Sequence, residues 1–274
     1  MKQILLFFLI GSFFLQVSCV NSQKNQQKET LVKIETDYGD MTVKLFDQTP
    51  AHRDNFIKLA NEGFYDGLLF HRVIENFMIQ GGDPDSKNAQ PEQHLGSGDP
   101  GYTLPAEIDS TLFHKKGMLA AARRGGPSNP EKRSSGSQFF IVQGTVFTPG
   151  ALDTLETKMD MQHQQMIMKK HFIAAQDELN QLRQAGNQDQ FNVRAAEIRE
   201  EANTELSTLP KITIVPERKE AYTTVGGYPS LDNEYTIFGE VVEGLEVLDK
   251  IASVETDQFD RPKTDVKMKV KVLD

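Results

Sequence analysis

The sequence predicts a mainly β protein interrupted by a helical segment, and three stretches carry that reading. Leu31-Val32-Lys33-Ile34-Glu35-Thr36 and Met41-Thr42-Val43-Lys44-Leu45-Phe46 alternate apolar with polar residues, the period of a strand with one buried face. Phe70-His71-Arg72-Val73-Ile74-Glu75-Asn76-Phe77-Met78-Ile79-Gln80-Gly81-Gly82-Asp83 repeats the pattern as two shorter strands turning at Glu75-Asn76. From Thr148 the apolar spacing becomes helical and stays so to about Ala221.

The first hairpin turns at Tyr38-Gly39-Asp40, where glycine accepts a positive φ. Thr49-Pro50 then reads as an N-cap followed by proline at the first helical position. Phe56, Leu59 and Ala60 recur at helical spacing and Gly63 ends the helix. In the next hairpin, Phe70 and Val73 on the core side would leave Arg72, Phe77, Met78 and Gln80 together on the other face. Large apolar groups around an exposed arginine suit a covering ligand. The plainer alternative is a solvated arginine on an ordinary barrel hairpin, and spacing alone does not separate the two.

At 274 residues and 38% hydrophobic, the chain can bury a substantial core. A net charge of −9, with no basic stripe, argues against a nucleic-acid footprint. Residues 1–18 read as a signal peptide. Met1-Lys2 supplies its positive start, and the apolar run Ile4 to Val17 is shorter than the ~20 residues of a membrane span. Cys19 is the sole cysteine, so no internal disulfide can form. Its position after the apolar run resembles the cleavage and lipidation site of a bacterial lipoprotein. Gln16 departs from that pattern, and ordinary signal-peptidase cleavage is the rival. Residues 19–30 are expected to be a lipidated N-terminus and flexible tether, having almost nothing to bury.

Taken together, Thr49-Pro50, Asn55-Phe56, Tyr65-Asp66-Gly67, Phe70-His71-Arg72-Val73-Ile74 and Phe77-Met78-Ile79-Gln80-Gly81-Gly82-Asp83 resemble the cyclophilin family. The resemblance implies a peptidyl-prolyl cis-trans isomerase on a closed eight-stranded antiparallel barrel capped by two helices. Its further segments follow. Ser86 to Leu112 reads as rim loops, which in that family accommodate the residue before proline. Gly117-Met118-Leu119-Ala120-Ala121-Ala122 and Gly136-Ser137-Gln138-Phe139-Phe140-Ile141-Val142 resemble the paired strands that complete the site. Arg123 stands where many members have Asn, adding a second cation near the groove. The loop Arg124 to Ser135 carries Arg124, Lys132 and Arg133 as well. It reads either as a solvated basic loop or as a contact for acidic clients or membrane headgroups. His94 and His114 have no partner at metal-ligand spacing and read as surface residues.

The resemblance lapses over 148–221, an expected insertion. Leu152, Leu155, Met159, Met166, Ile167, Phe172, Ile173, Leu179 and Leu182 form one stripe, broken at Gly186-Asn187. Phe191, Ala195, Ile198, Ala202 and Leu206 form a second, ended by Leu209-Pro210. These predict an α-helical hairpin, followed by one more helical turn at Pro216 to Tyr222. Its methionines either fill the seam or form a flexible surface. Gly226-Gly227, Leu231-Asp232 and Tyr235 to Gly244 restore the resemblance. Ser230 and Tyr235 stand where some members have Trp and His. Leu245, Val247, Leu248 and Ile251 give the second capping helix, and Val266 to Leu273 the closing strand.

Amide resonance imposes a barrier of ~18–20 kcal/mol on X–Pro rotation. A donor near the prolyl nitrogen, together with a pocket that fits the twisted state, lowers it without nucleophile, metal or cofactor. The resemblance gives the first task to Arg72, with Gln80 beside it. It makes Phe77, Met78, Phe140, Leu231 and Tyr235 the pocket for the proline ring. Gln80 and Gln138 would bond to client carbonyls, with the Ala122–Arg123 main chain alongside. The expected isomerase domain is 31–147 with 222–274. The expected setting is an exported monomer, facing the periplasm in the cell envelope, anchored to the membrane through Cys19 and acting on proline-containing clients. The alternative is a low-activity cyclophilin-like binding or chaperone module that uses the helical insertion.

Overall fold

The computed structural model describes residues 29–126 and 128–273. The expected signal peptide, Cys19 and most of the expected tether lie outside them. Strands β1 (Thr30–Thr36) and β2 (Gly39–Leu45) form the expected hairpin, with Gly39 at a φ of 124°. Val32, Ile34, Met41 and Val43 point inward and are fully buried. Helix α1 (Pro50–Asn61) starts at Pro50 and ends before Gly63, whose φ is 67°. The Thr49 side chain does not cap it. The Ala51 and His52 N–H groups donate instead to the Glu107 carboxylate, each at 3.0 Å.

Strands β3 (Phe70–Ile74) and β4 (Met78–Gly81) pair antiparallel. After them come β5 (Thr103–Leu104), β6 (Met118–Ala121), β7 (Ser134–Ser135) and β8 (Phe139–Val142). The helical stretch comprises α2 (Pro149–Ala174), α3 (Gln176–Gln184), α4 (Gln188–Thr208) and α5 (Pro216–Thr224). Then β9 (Ile237–Glu243), α6 (Leu245–Ala252) and β10 (Met268–Leu273) complete the chain. The eight-stranded sheet runs β10-β1-β2-β9-β6-β8-β4-β3, antiparallel throughout, while β5 and β7 pair separately. Phe56 and Leu59 of α1 and Leu248 and Ile251 of α6 enter the core that this curled sheet encloses.

Two expectations are corrected. The sheet is an open, curled half-barrel, not a closed barrel. The reason lies at the outer edge of β3, where the Phe70 N–H donates to Val266 O and the Val73 N–H to Asp260 O. The Val266 bond and the Met268 N–H donation to Leu68 O make the single bridge Leu69–Lys267; beyond it Asp260 takes the Val73 N–H, and no further pairing of β3 with β10 forms among the described residues. The protein is also mixed rather than mainly β. Its six α-helices among the described residues hold more of the chain than the strands do.

The helical stretch forms a hairpin with one arm broken at Ala175 between α2 and α3. Its upper part has a small core of its own, Phe172, Ala175, Leu179, Phe191 and Ile198. Its base packs on the half-barrel through Leu152, Leu155, Ile214 and Tyr222, which meet Phe113 and Phe147. Among the methionines, 161 and 166 are exposed while 159 and 168 are half-buried, so the seam takes only part of the cluster; Ile173 is also exposed.

Candidate active site

Residues directly opposite one another in antiparallel strands share a face. Across three adjacent strands, Arg72 lies opposite Gln80 and Gln80 opposite Phe140; Phe140 in turn faces Ala120 on the next strand. The neighbouring row, Val73, Ile79, Ile141 and Leu119, is the inward one and is buried in the core. Strand pleating therefore turns Arg72, Gln80 and Phe140 to the outer face together. Arg72, Phe77, Met78, Gln80, Ala122, Arg123, Phe140, Leu231 and Tyr235 line one depression of about 110 Å³. Gln138 lies just outside it, on an adjoining cavity that shares Gln80, Ala122 and Arg123.

The polar side of the depression is a chain of amides. The Arg72 Nη1 lies 3.5 Å from Gln80 Oε1, and Gln80 Nε2 donates to Gln138 Oε1 at 3.0 Å. Gln138 Nε2 donates to the carbonyls of Gly98 and Gly96 at 2.7 and 3.2 Å. Both Gln138 amide hydrogens are thus used within the protein, leaving it to orient Gln80. The Arg72 side chain is 41% exposed, and its one carboxylate neighbour among the described residues, Asp260, is 3.5 Å from Nε. Such an exposed, stretched pair leaves most of the guanidinium donors open. His71, beneath it, is buried with neither ring nitrogen partnered among the described residues. Burial pushes its pKa down to about 4 against the pull of Asp83, so the imidazole is neutral and Arg72 is the cation here.

The apolar side is a set of crossed rings. Phe140 and Tyr235 stand edge to face, 5.4 Å apart at 89°, and Phe77 packs on Tyr228 at 4.4 Å. Met78 and Leu231 close the floor and far edge, and both are buried. The Ala122 main chain is spent in the sheet, its N–H on Gln138 O and its C=O on the Ser135 N–H. The Arg123 N–H and C=O have no partner among the described residues. The Arg123 guanidinium, though, is not the free second cation that its position suggested. It lies 4.7 Å over the Tyr235 ring, donates to Glu234 O and Oε2 at 2.8 Å each, and is 10% exposed.

His114, expected on the surface, is fully buried behind Phe140, its ring stacked at 6.2 Å. Asp232 holds it: Oδ1 accepts from the His114 N–H at 2.8 Å and lies 3.1 Å from Nδ1. The other oxygen accepts from Tyr222 Oη at 2.8 Å and Arg218 Nη1 at 3.2 Å. Burial, then the Asp232 charge, pushes the Tyr222 phenol far up. Sequence spacing gave no hint of this cluster, because its members are brought together by α5 and by the loop that carries Leu231. Asp260 was equally hidden, though Asp257, Asp260 and Arg261 within five residues mark a charged loop.

A family sequence profile described as "Cyclophilin type peptidyl-prolyl cis-trans isomerase/CLD" matches residues 31–163 and 217–272. The chain belongs to the cyclophilin-type peptidyl-prolyl cis-trans isomerase family, and is by class an isomerase. Over 242 residues it is 31% identical to proteins of Staphylococcus epidermidis and Staphylococcus aureus named as peptidyl-prolyl cis-trans isomerases. Those alignments span 88% of this chain and 90% of each relative. It is 33% identical over 238 residues to a Streptococcus pyogenes protein named as a bifunctional phosphatase/peptidyl-prolyl cis-trans isomerase, covering 86% of this chain and 37% of that longer protein. The crystal structure of a cyclophilin-type isomerase from Cryptosporidium parvum shares the fold, with a TM-score of 0.51 at 22% identity, over 90% of this chain and 99% of that one. A second structure of that isomerase, in the presence of the dipeptide Ala-Pro, gives 0.50 at 21% identity over 89% and 99%.

Proposed function

We propose that this chain speeds rotation about X–Pro bonds in unfolded or exported proteins, with Arg72 donating to the prolyl nitrogen. The observation that carries the reading is the convergence of Arg72, Phe77, Met78, Gln80, Phe140, Leu231 and Tyr235 on one small depression. Its volume of about 110 Å³ is a few waters' worth, at ~30 Å³ each, and suits a small apolar ring. The ring enters between Phe140, Met78 and Leu231. As the amide twists, resonance is lost and the nitrogen regains a lone pair. A fixed guanidinium donor stabilises that lone pair and does nothing comparable for the planar ends, which is the differential binding that catalysis requires. Gln80, oriented by Gln138, keeps one amide hydrogen for a client carbonyl. The unpartnered Arg123 main chain offers an extended client a second anchor.

The test is isomerisation of an X–Pro peptide by the wild type and by Arg72→Ala. A loss of about 10²–10³-fold in kcat/KM with the fold intact is expected, the scale of removing one transition-state donor. Near-normal turnover would remove Arg72 from its role.

We further propose that the protein is exported and tethered to the membrane of the cell envelope by acyl chains on Cys19, acting there as a monomer. The support is the sequence alone: an apolar signal segment ending at the sole cysteine, and a polar tether after it. Cys19→Ala should move the protein from membrane to soluble fractions, and unchanged partitioning would rule this anchor out.

A further inference from the structure

Next to the proline depression, past Gln80 and Gln138, lies a larger cavity of about 370 Å³. It is walled by the loop at 96–103 and by the basic loop that begins at Arg124. Arg123, Arg124 and Arg133 line it, against a single carboxylate, Asp99. Behind it Glu234 is shared between Arg123 and Lys132, at 2.8 Å from each. The charged residues lining the cavity, three arginines against one aspartate, carry a surplus of two positive charges, in a protein whose net charge is −9.

Arg123 is paired with Glu234, but Arg124 and Arg133 have no carboxylate partner among the described residues. Arg133 donates Nε to Thr103 Oγ1 at 2.8 Å and Nη2 to Thr103 O at 2.9 Å. Both acceptors are uncharged, so the bonds fix the guanidinium and leave its charge. The Arg124 side chain is exposed and has no acceptor among the described residues, although its own carbonyl accepts from Asn129 Nδ2. A fixed and an unpaired cation thus face a cavity that opens onto the proline site.

We infer that this cavity selects clients with an acidic side chain close to the isomerised proline, Arg124 and Arg133 being the residues that read the charge. The inference rests on the proline depression being the reacting site. A membrane surface is the less fitting occupant, because the arginines wall a concavity continuous with Gln80 rather than a convex face. A carboxylate reaching in gains attraction from both cations, partly screened by salt, whose Debye length is about 10 Å at 0.1 M.

The experiment uses the full chain and peptides that differ only at one residue flanking X–Pro, Glu, Gln or Lys, placed in turn at each of two positions on either side. Turnover of the Gln peptides tests the isomerase reading; only the ratios test this one. At one flanking position, kcat/KM should rank Glu over Gln over Lys, with a Glu/Gln ratio of about fivefold at low salt. The ratio should collapse in 0.5 M NaCl and in Arg124→Gln, with the Gln peptide unaffected. Arg133→Gln gives up the Thr103 bonds and can loosen the loop, so Arg124→Gln, on an exposed side chain, decides. Equal turnover of Glu, Gln and Lys peptides at every position would overturn the inference, as would a preference indifferent to salt and to Arg124→Gln. Binding to phosphatidylglycerol vesicles that depends on Arg124, without any peptide preference, would overturn it in favour of a membrane contact.

Discussion

Arg72, Gln80 and Phe140 stand on three adjacent strands, each directly opposite the next. Leu231 and Tyr235, across the pocket, come from a loop held by side chains: Asp232 on His114, Tyr222 and Arg218, and Glu234 on Arg123 and Lys132. The near wall is built by backbone ladders, which specify face and register whatever side chains they carry. The far wall depends on particular charged and hydroxyl groups, several of them supplied by α5, where the helical stretch returns to the half-barrel. Substitutions can therefore change the far wall without unmaking the sheet, and Arg123, Ser230 and Tyr235, the positions expected to differ from the resembled family, stand on or beside this wall.

If that contrast is right, the largest loss of stability should come from the far wall's centre. Asp232→Ala would leave the buried His114, Tyr222 and Arg218 without their shared acceptor. We expect a loss of about 3–5 kcal/mol in urea unfolding, the cost of breaking a buried ion-pair network. A change below about 1 kcal/mol would show that the loop stands without it.

The near wall should answer to acid. His71 is held neutral by burial, with a pKa of about 4 against 6.5 when unfolded. Between these values the unfolded chain binds a proton that the folded one does not. Stability is therefore complete above about pH 6.5 and falls as the pH drops toward 4, by up to roughly 3 kcal/mol from this group. His71→Gln lacks this dependence, so the wild type's slope with pH should exceed the variant's across that window. Parallel slopes would contradict the burial account.

Smallest of all should be the effect of removing the hairpin's tip. Residues 161–209 have their own core, while Leu152, Ile214 and Tyr222 at the base pack against the half-barrel. Replacing 161–209 with a short linker should change the stability of the rest by less than about 1 kcal/mol and leave X–Pro turnover in place. Loss of cooperative unfolding, or of activity, would make the tip part of the far wall's support.

The same contrast governs what the sequence made legible. Alternation marked β1, β2, β3 and β4, and the outward row containing Arg72 and Gln80 follows from the pleat. Helical stripes marked α1, α6 and the hairpin, with its break at Gly186-Asn187. The paired two-residue strands β5 and β7 are too short to carry a period. The open edge was hidden because Asp260 and Val266 occupy it from a loop, and no local pattern announces which acceptor an edge strand will meet. His114 looked like a surface residue because its partner, Asp232, is 118 residues away. Arg123 looked like a free cation because spacing shows neither Tyr235 beneath it nor Glu234 beside it.

The central claim is that the near wall's arginine does the catalytic work. The direct measurement is the cis–trans exchange rate of a saturating X–Pro peptide, followed by NMR on wild type and Arg72→Ala. The account predicts that exchange on the variant slows by about 10²–10³-fold while the peptide still binds through Phe140, Met78 and Leu231. Undiminished exchange on bound peptide, with Arg72 gone, would contradict it.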